Sequence, residues 1–419
     1  MRISFIDQSF FPATVPIIFY YPADDPSAKV ERQSQLAKSL SETLTLYYPL
    51  AGRFVKENHS INCNDEGLFQ ILHGEFEAKV LNQFVPEEVE ESATSPLVAI
   101  QINIFNCGGL AIGLCFSHRI VDCFTFSMFI NGWAKTYKVR LNDVITPNFE
   151  ATITKSEVVT KRFVFDAKTI SKLKAEAMSD SCGLKPSTVE IMAALIWRAQ
   201  INAIRAKYGH LRTSPMSMPM NFRGRTFDKI PENCCGKLFT WINARFPAND
   251  NKMGLDDFVD LVRDAIRNSI SEFAEPAEAY MELIEELRKG DGDLQIFASW
   301  RDFPFYEGDF GWGKPTWVSV TQRLYNGIIL VDAKDGDGIE IWVTMDVEGM
   351  AHFQQDSNIT HFSAQFDFGN NRYLLISFSL VQLTTKNYVF NNKFGSLKSV
   401  KYVFLTLLNL LKLWQLIVV

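Results

Sequence analysis

LVAIQINIFNCGGLAIGLCFSHRIVDCFTFSMFINGW, residues 97–133, is the stretch from which the architecture is read. Two apolar runs, 97–105 and 110–116, are separated by Asn106-Cys107-Gly108-Gly109, which predicts a β-hairpin. His118 comes two residues after the second run, in a short loop. A helix is expected next, because Phe126, Phe129, Ile130 and Trp133 recur at helical spacing and share one core-facing stripe. A hairpin feeding a helix, with a polar ring at the junction, is the unit from which the rest extends.

Upstream, residues 15–21 read as a strand of β-branched and aromatic residues. In 31–47, Leu36, Leu40, Leu44 and Tyr47 keep a helical period until Pro49 and Gly52 stop it. Short strands flank a turn at Asn64-Asp65-Glu66-Gly67. Downstream, 162–165 looks like a strand, Asp166 like a helix N-cap, and Ser187 or Thr188 caps an apolar helix through Ile204. Helices are expected over 255–274 and 276–289, and a strand over 294–300. Strands 327–332 and 338–344 then pair across the glycine-rich turn at 335–338. This mixture predicts a mixed α/β (α+β) fold without internal repeats.

The chain of 419 residues is too long for one ordinary core, so two domains are expected. The polar stretch near 147–155 marks their boundary. The domains are 1–147 and 161–366, joined by a short linker over 148–160. Residues 367–419 differ in composition and are expected to form an atypical, poorly folded tail. Within it 400–419 is apolar but interrupted by Lys401 and Lys412, so a membrane anchor is disfavoured.

The net charge of -6 and the absence of a dense basic cluster argue against a nucleic-acid partner. Seven cysteines, at 63, 107, 115, 123, 182, 234 and 235, show neither metal-ligand nor redox spacing. Free thiols in a reducing compartment are the simplest account, and no metal is expected. Residues 1–11 carry Asp7 and Gln8 before any long apolar run, unlike a signal peptide. A cytoplasmic monomer without membrane association is expected.

Two motifs carry chemistry. His118-Arg119-Ile120-Val121-Asp122 is an H-x-x-x-D string, which six histidines produce by chance about 0.3 times in such a chain. His352-Phe353-Gln354-Gln355-Asp356 matches too, but it sits in an amphipathic helix, where a solvated i,i+4 pair is expected. His118, ending a strand, can project from a rigid scaffold. Asp122 can orient the same turn by accepting hydrogen bonds or pairing with an arginine. The second motif, Asp309-Phe310-Gly311-Trp312-Gly313, is far rarer by chance. Its glycines permit a tight turn and its aromatic rings can anchor it.

These strings together resemble the BAHD acyltransferases of plants, which carry H-x-x-x-D in the first domain and D-F-G-W-G in the second. Tyr48-Pro49-Leu50-Ala51-Gly52-Arg53, Lys161-Arg162-Phe163-Val164-Phe165, Asn221-Phe222-Arg223 and Gly313-Lys314-Pro315 extend the resemblance over residues 4–366. The branch most similar is that of the alkaloid acetyltransferases. The resemblance implies two similar-sized chloramphenicol-acetyltransferase-like domains with a channel between them and His118 at its centre. It implies His118 as general base and Asp122 paired to an arginine, for which Arg223 is the candidate. Asp309 is a second candidate proton acceptor, although structural support of its loop, with Gly311, Trp312 and Gly313, is the favoured role.

The implied reaction is acyl transfer, with acetyl-CoA as the expected co-substrate and no permanently bound cofactor. The acceptor is the hydroxyl of a small plant metabolite such as an alkaloid. A histidine can deprotonate an alcohol as it attacks a thioester, so no covalent acyl-enzyme is needed and no G-x-S-x-G elbow is expected. Three departures stand beside this. The chain opens at what the resemblance makes the end of a first-domain strand, leaving an exposed edge. The linker is short, and the tail is foreign to the family. They keep open an alternative, a catalytically silent truncated member or binding pseudoenzyme.

Overall fold

A computed structural model of the chain describes residues 14–22, 29–63, 68–73, 81–86, 96–105, 108–139, 158–177, 185–221, 223, 238–248, 254–271, 283, 285, 294–320, 327–334, 336, 338–362 and 364–366. All of these belong to one compact unit, Met1–Gly369; the second unit, Asn370–Val419, holds most of the expected tail and lies outside the described residues. The linker at 148–160 is described only from residue 158, and the expected helix at 276–289 only at 283 and 285.

The hairpin forms as its sequence predicts. Strands β5 (Val98–Ile104) and β6 (Leu110–Ser117) pair antiparallel, with Ile102 opposite Ile112 and Ile100 opposite Leu114. Every residue of both strands is buried, so the runs are continuously apolar rather than alternating. Strand β1 (Thr14–Tyr21) pairs with β6 over its whole length, and β4 (Leu68–His73) lies parallel to β5. Helix α1 (Lys29–Leu46) turns Leu36 and Leu40 into the core. Strands β2 (Arg53–Val55) and β3 (Ser60–Asn62) form a separate small ribbon. The expected strands stand on either side of residues 64–67, which lie outside the described residues: β3 joins β2 and β4 joins β5. Between α1 and β2, Gly52 lies so close to Ile61 and Asn62 that a Cβ there would stand 2.7 Å from the Asn62 carbonyl oxygen. That approach accounts for a glycine at the end of the Tyr48–Ala51 turn.

Helix α2 (Cys123–Val139) follows the hairpin and buries Phe126, Phe129, Ile130 and Trp133 completely. The Trp133 indole N–H donates to Ser39 Oγ on α1 at 3.0 Å, which pairs the two helices over the first sheet.

The second sheet is built around β7 (Val158–Phe165), β8 (Ser214–Asn221), β9 (Phe239–Phe246), β10 (Gln295–Ser299), β12 (Gly327–Asp332), β13 (Ile339–Asp346) and β14 (Ala364–Phe366). Its order is β14-β7-β13-β12-β10-β8-β9, with β10 parallel to both β8 and β12. Helices α3 (Ala167–Glu176), α4 (Thr188–Tyr208), α5 (Leu255–Ser271), α6 (Val347–Gln355) and α7 (Ser357–Phe362) complete the described elements of this half. Asp166 caps α3 by accepting from Thr169 N–H at 2.7 Å.

Ser187 caps α4 through a reciprocal box: its Oγ accepts from Glu190 N–H, and the Glu190 carboxylate accepts from Ser187 N–H at 2.6 Å. Glu190 also takes an ion pair from Arg263 of α5 at 3.2 Å. Ser187→Ala is expected to cost about 1 kcal/mol, as caps of this kind do, read as a lowered urea midpoint at unchanged slope.

Sheet membership crosses the sequence boundary between the halves. Strand β11 (Trp317–Val320) pairs with β1, giving a first sheet of order β11-β1-β6-β5-β4. Trp300, Phe305 and Phe310 likewise enter the core of the first sheet, and so do Ile329 and Trp342 from strands of the second. Trp317 stacks on Tyr20 at 5.0 Å on one hand and on Trp342 at 5.9 Å on the other. Arg162 clamps Glu340 with two hydrogen bonds beside them, at 2.7 and 2.5 Å. The two sheets are therefore joined by a shared aromatic seam.

Candidate functional site

From residue 108 to residue 123 every side chain is buried except His118, which is half-exposed. The turn that presents it is tight. Ser117 N–H donates to Leu97 O at 2.7 Å, ending the sheet, and the Ser117 carbonyl then accepts from Ile120 and Val121. The ring stands 6.1 Å from Phe116 and 6.4 Å from Phe239 at the start of β9. His118 Nδ1 lies 2.9 Å from the Val121 carbonyl oxygen. A carbonyl only accepts, so Nδ1 carries the hydrogen, and Nε2 is the basic nitrogen of the neutral ring.

Asp122 serves two tasks. Its Oδ1 accepts from Thr125 N–H at 2.8 Å, an N-cap on α2. Its Oδ2 accepts from Arg223 Nη1 at 2.7 Å and from Leu238 N–H at 3.5 Å. Both partners of the ion pair are nearly sealed from solvent, at 3% and 9% side-chain exposure, which makes it a buried pair in which each charge needs the other. Arg223 is further engaged by Asn221 Oδ1 at 3.2 Å and Thr125 Oγ1 at 3.3 Å, and its guanidinium covers the Phe124 ring at 4.7 Å. His118, Asp122 and Arg223 are thus brought together. Thr125, Phe124 and Leu238 were not singled out in the sequence. Only the cap has a local signal there, Asp122 placed one residue before an apolar helix.

Asp309 is elsewhere. Its Oδ2 accepts from Lys138 Nζ at 2.6 Å, and its Oδ1 accepts from Gly311 and Gly313 N–H at 2.8 and 3.0 Å. Lys138 is in the last turn of α2, whereas the His118 turn precedes its first, so about 22 Å of helix rise separates the ends. Gly311 and Gly313 have φ of 104° and 101°, backbone that L side chains rarely adopt, which explains both glycines. Phe310 is buried among Tyr21, Trp133 and Tyr137, with Trp312 stacked on it at 5.5 Å. Tyr21 stays protonated, chiefly through burial and then through the Asp309 charge, and its hydroxyl donates to Gly308 O at 2.9 Å.

Burial raises the Asp309 carboxyl. Hydrogen bonds from Lys138, Gly311 and Gly313, with the Lys138 charge, outweigh it and hold the group below the ordinary carboxylate range. A depressed folded value stabilises the fold above the ordinary carboxylate value of 3.8, and that stability is lost as pH falls through the folded value. Asp309→Asn is expected to lower the melting temperature at pH 7, and the gap to the wild type should narrow as pH falls below the ordinary carboxylate range. A gap that widens on acidification contradicts the assignment.

His352 does not repeat the His118 arrangement. It is half-buried on α6, and Asp356 accepts from Asn202 Nδ2 at 2.9 Å and Asn358 N–H at 2.9 Å. Asp356 therefore joins helices rather than orienting a reactive ring. Cys63, Cys115 and Cys123 are free thiols. Among the described residues no cluster of three His, Cys, Asp or Glu side chains could hold a metal, and no helix is long and apolar enough to cross a membrane.

A buried-core hairpin thus delivers one half-exposed imidazole, and the Asp122 that follows it is locked to Arg223 from beyond the end of β8. The "Transferase family" model matches residues 1–155 and 145–360. Stemmadenine O-acetyltransferase of Catharanthus roseus is 32% identical over 400 residues, covering 85% of this chain and 91% of the relative. Acetyl-CoA-benzylalcohol acetyltransferase of Clarkia breweri is 33% identical over 404 residues, 85% and 93% of the respective chains. The crystal structure of vinorine synthase superposes with a TM-score of 0.71 at 29% identity, covering 88% of this chain and 94% of that one. The chain belongs to this Transferase family, the BAHD acyltransferases, with their chloramphenicol-acetyltransferase-like mixed α/β fold, and is an enzyme transferring acyl groups other than aminoacyl groups.

Proposed function

We propose that the enzyme transfers an acetyl group from acetyl-CoA to the hydroxyl of a plant specialised metabolite such as an alkaloid, with His118 as general base. The observation that carries the reading is the isolated exposure of His118 with its tautomer set by Val121. The names of similar proteins, stemmadenine O-acetyltransferase and acetyl-CoA-benzylalcohol acetyltransferase, support acetyl transfer to an oxygen, and the second supports acetyl-CoA as donor and an alcohol as acceptor.

His118 Nε2 takes the hydroxyl proton as the acceptor oxygen adds to the thioester carbonyl. The imidazolium keeps its Nδ1–H on Val121 O, a carbonyl dipole that stabilises the new charge. Collapse of the tetrahedral intermediate breaks the C–S bond, and the imidazolium returns the proton to the leaving thiolate. The ester and free coenzyme A leave, and the ring is neutral again. Asp122 takes no proton in this scheme; it holds the turn through Thr125 and Arg223. Asp309 supports the glycine loop rather than the reaction, as its engagement with Lys138 at the far end of α2 favours. We read 1–147 and 161–366 as the two domains, the first giving His118 and the second Arg223.

The test is thiol release on mixing the full-length protein with acetyl-CoA and a panel of alcohols that includes benzyl alcohol and indole-alkaloid alcohols. Release that depends on both substrates, with acetyl ester formed in equal amount, is expected. Release independent of any alcohol, or none with any member of the panel, overturns the reading.

A further inference from the structure

Residues 300–306 connect β10 to the Asp309 loop, and within them Asp302 has φ of 62°. For residues other than glycine this left-handed backbone carries a cost, smaller for Asp than for most, and it persists where the surroundings favour it. The Asp302 side chain is exposed, so its own packing does not impose it. Asp332, the last residue of β12, does. Its Oδ1 accepts from Arg301 Nε at 2.7 Å and its Oδ2 accepts from Asp302 N–H at 2.6 Å. Both oxygens of one carboxylate are spent on two consecutive residues of the loop, while Trp300 N–H donates to Leu330 O just before them.

The next residue leads back to the site. Phe303 stands edge-on to Phe124 at 5.6 Å, and Phe124 carries the Arg223 guanidinium over its ring at 4.7 Å. Arg223 in turn grips Asp122. A continuous set of contacts therefore runs from Asp332 through the strained loop to the turn that bears His118.

We propose that Asp332 is a positioning residue for acyl transfer: by holding Asp302 in left-handed backbone it seats Phe303 against Phe124, and so keeps Arg223 on Asp122 and the His118 turn in register. The inference rests on the reading of His118 as the base. It assigns Asp332 no contact with substrate.

The test is a suppressor cycle in the full chain. With acetyl-CoA and benzyl alcohol, Asp332→Ala is expected to lower kcat about 10-fold while KM for acetyl-CoA changes less than about 2-fold. Asp332→Asn keeps an acceptor for Asp302 N–H but loses the charge on Arg301, and should lose about 3-fold. Asp302→Gly makes the left-handed backbone intrinsically accessible, so Asp332→Ala/Asp302→Gly should recover to within about 3-fold of the wild type. A readout independent of turnover is amide exchange at Thr125, whose N–H is held by Asp122. Its exchange should speed about 10-fold in Asp332→Ala and slow again in the double variant.

Wild-type kcat and wild-type Thr125 exchange in Asp332→Ala, or a double variant no better than the single one, overturns the proposal. If Asp332→Ala does not fold, the same criteria apply to Asp332→Asn with and without Asp302→Gly. His118→Ala is assayed alongside. Full activity there sinks the base assignment alone, and the exchange and rescue data still decide the role of Asp332.

Discussion

His118→Ala is expected to lower kcat by a factor of about 10²–10⁴, the contribution of a positioned general base. No other described group in this turn can take over. The guanidinium of Arg119 offers donors and no acceptor, Asp122 is committed to Thr125 and Arg223, and Ser117 is buried at the end of β6. His118→Gln should be as inactive, since its amide can replace the hydrogen bond to Val121 O but cannot accept a proton near neutral pH. The fold should survive both changes, because the ring is half-exposed and tied to the protein by its hydrogen bond to Val121 and by ring contacts with Phe116 and Phe239. Melting temperatures within about 2 °C of the wild type are expected. So is an unaltered upward shift on adding coenzyme A, which reports binding to the folded form. Thiol release at the wild-type rate in either variant contradicts the role of His118.

Much of this site was legible from local pattern. Residues 97–133 announce a hairpin and a helix, because their apolar runs are punctuated by a four-residue polar and glycine turn and then change period. Ser187 and Glu190 form their cap within one turn of helix, so four residues of sequence suffice to read it. Partners distant in sequence left no such mark. Lys138 and Asp309 are 171 positions apart, and neither helix period nor turn chemistry couples them. The pairing of β11 with β1 is hidden for the same reason: four residues of an edge strand carry no information on which sheet they will join. Strands on either side of 64–67 are read from the sequence, but their partners are not. Strand β4 pairs parallel with β5, a partner about 30 positions on, and no local spacing marks that choice. Asp302 and Asp332 were passed over because a strained backbone angle is a property of the fold and not of residue order.

The second large effect concerns the pair that ties the His118 turn to the other sheet. Asp122→Ala should destabilise the protein by about 3–5 kcal/mol, because it strands a buried guanidinium and removes the cap on α2 at once. Arg223→Ala should cost about as much by leaving a buried carboxylate whose remaining partners are the Thr125 and Leu238 N–H groups. The double variant removes both charges together and should fall well short of the sum, since neither is then left uncompensated. A coupling of at least about 2 kcal/mol from urea titrations of the four proteins is the expected result. Asp122→Asn separates the two tasks: the amide oxygen still caps Thr125, while the charge on Arg223 is lost. It should therefore keep most of the helix stability and lose turnover, about 10-fold in kcat, as the turn loosens around His118. Additive single effects, within about 0.5 kcal/mol, mean that the two side chains act separately and that the seam between the sheets is held by the Trp317 stack and the Arg162–Glu340 clamp instead.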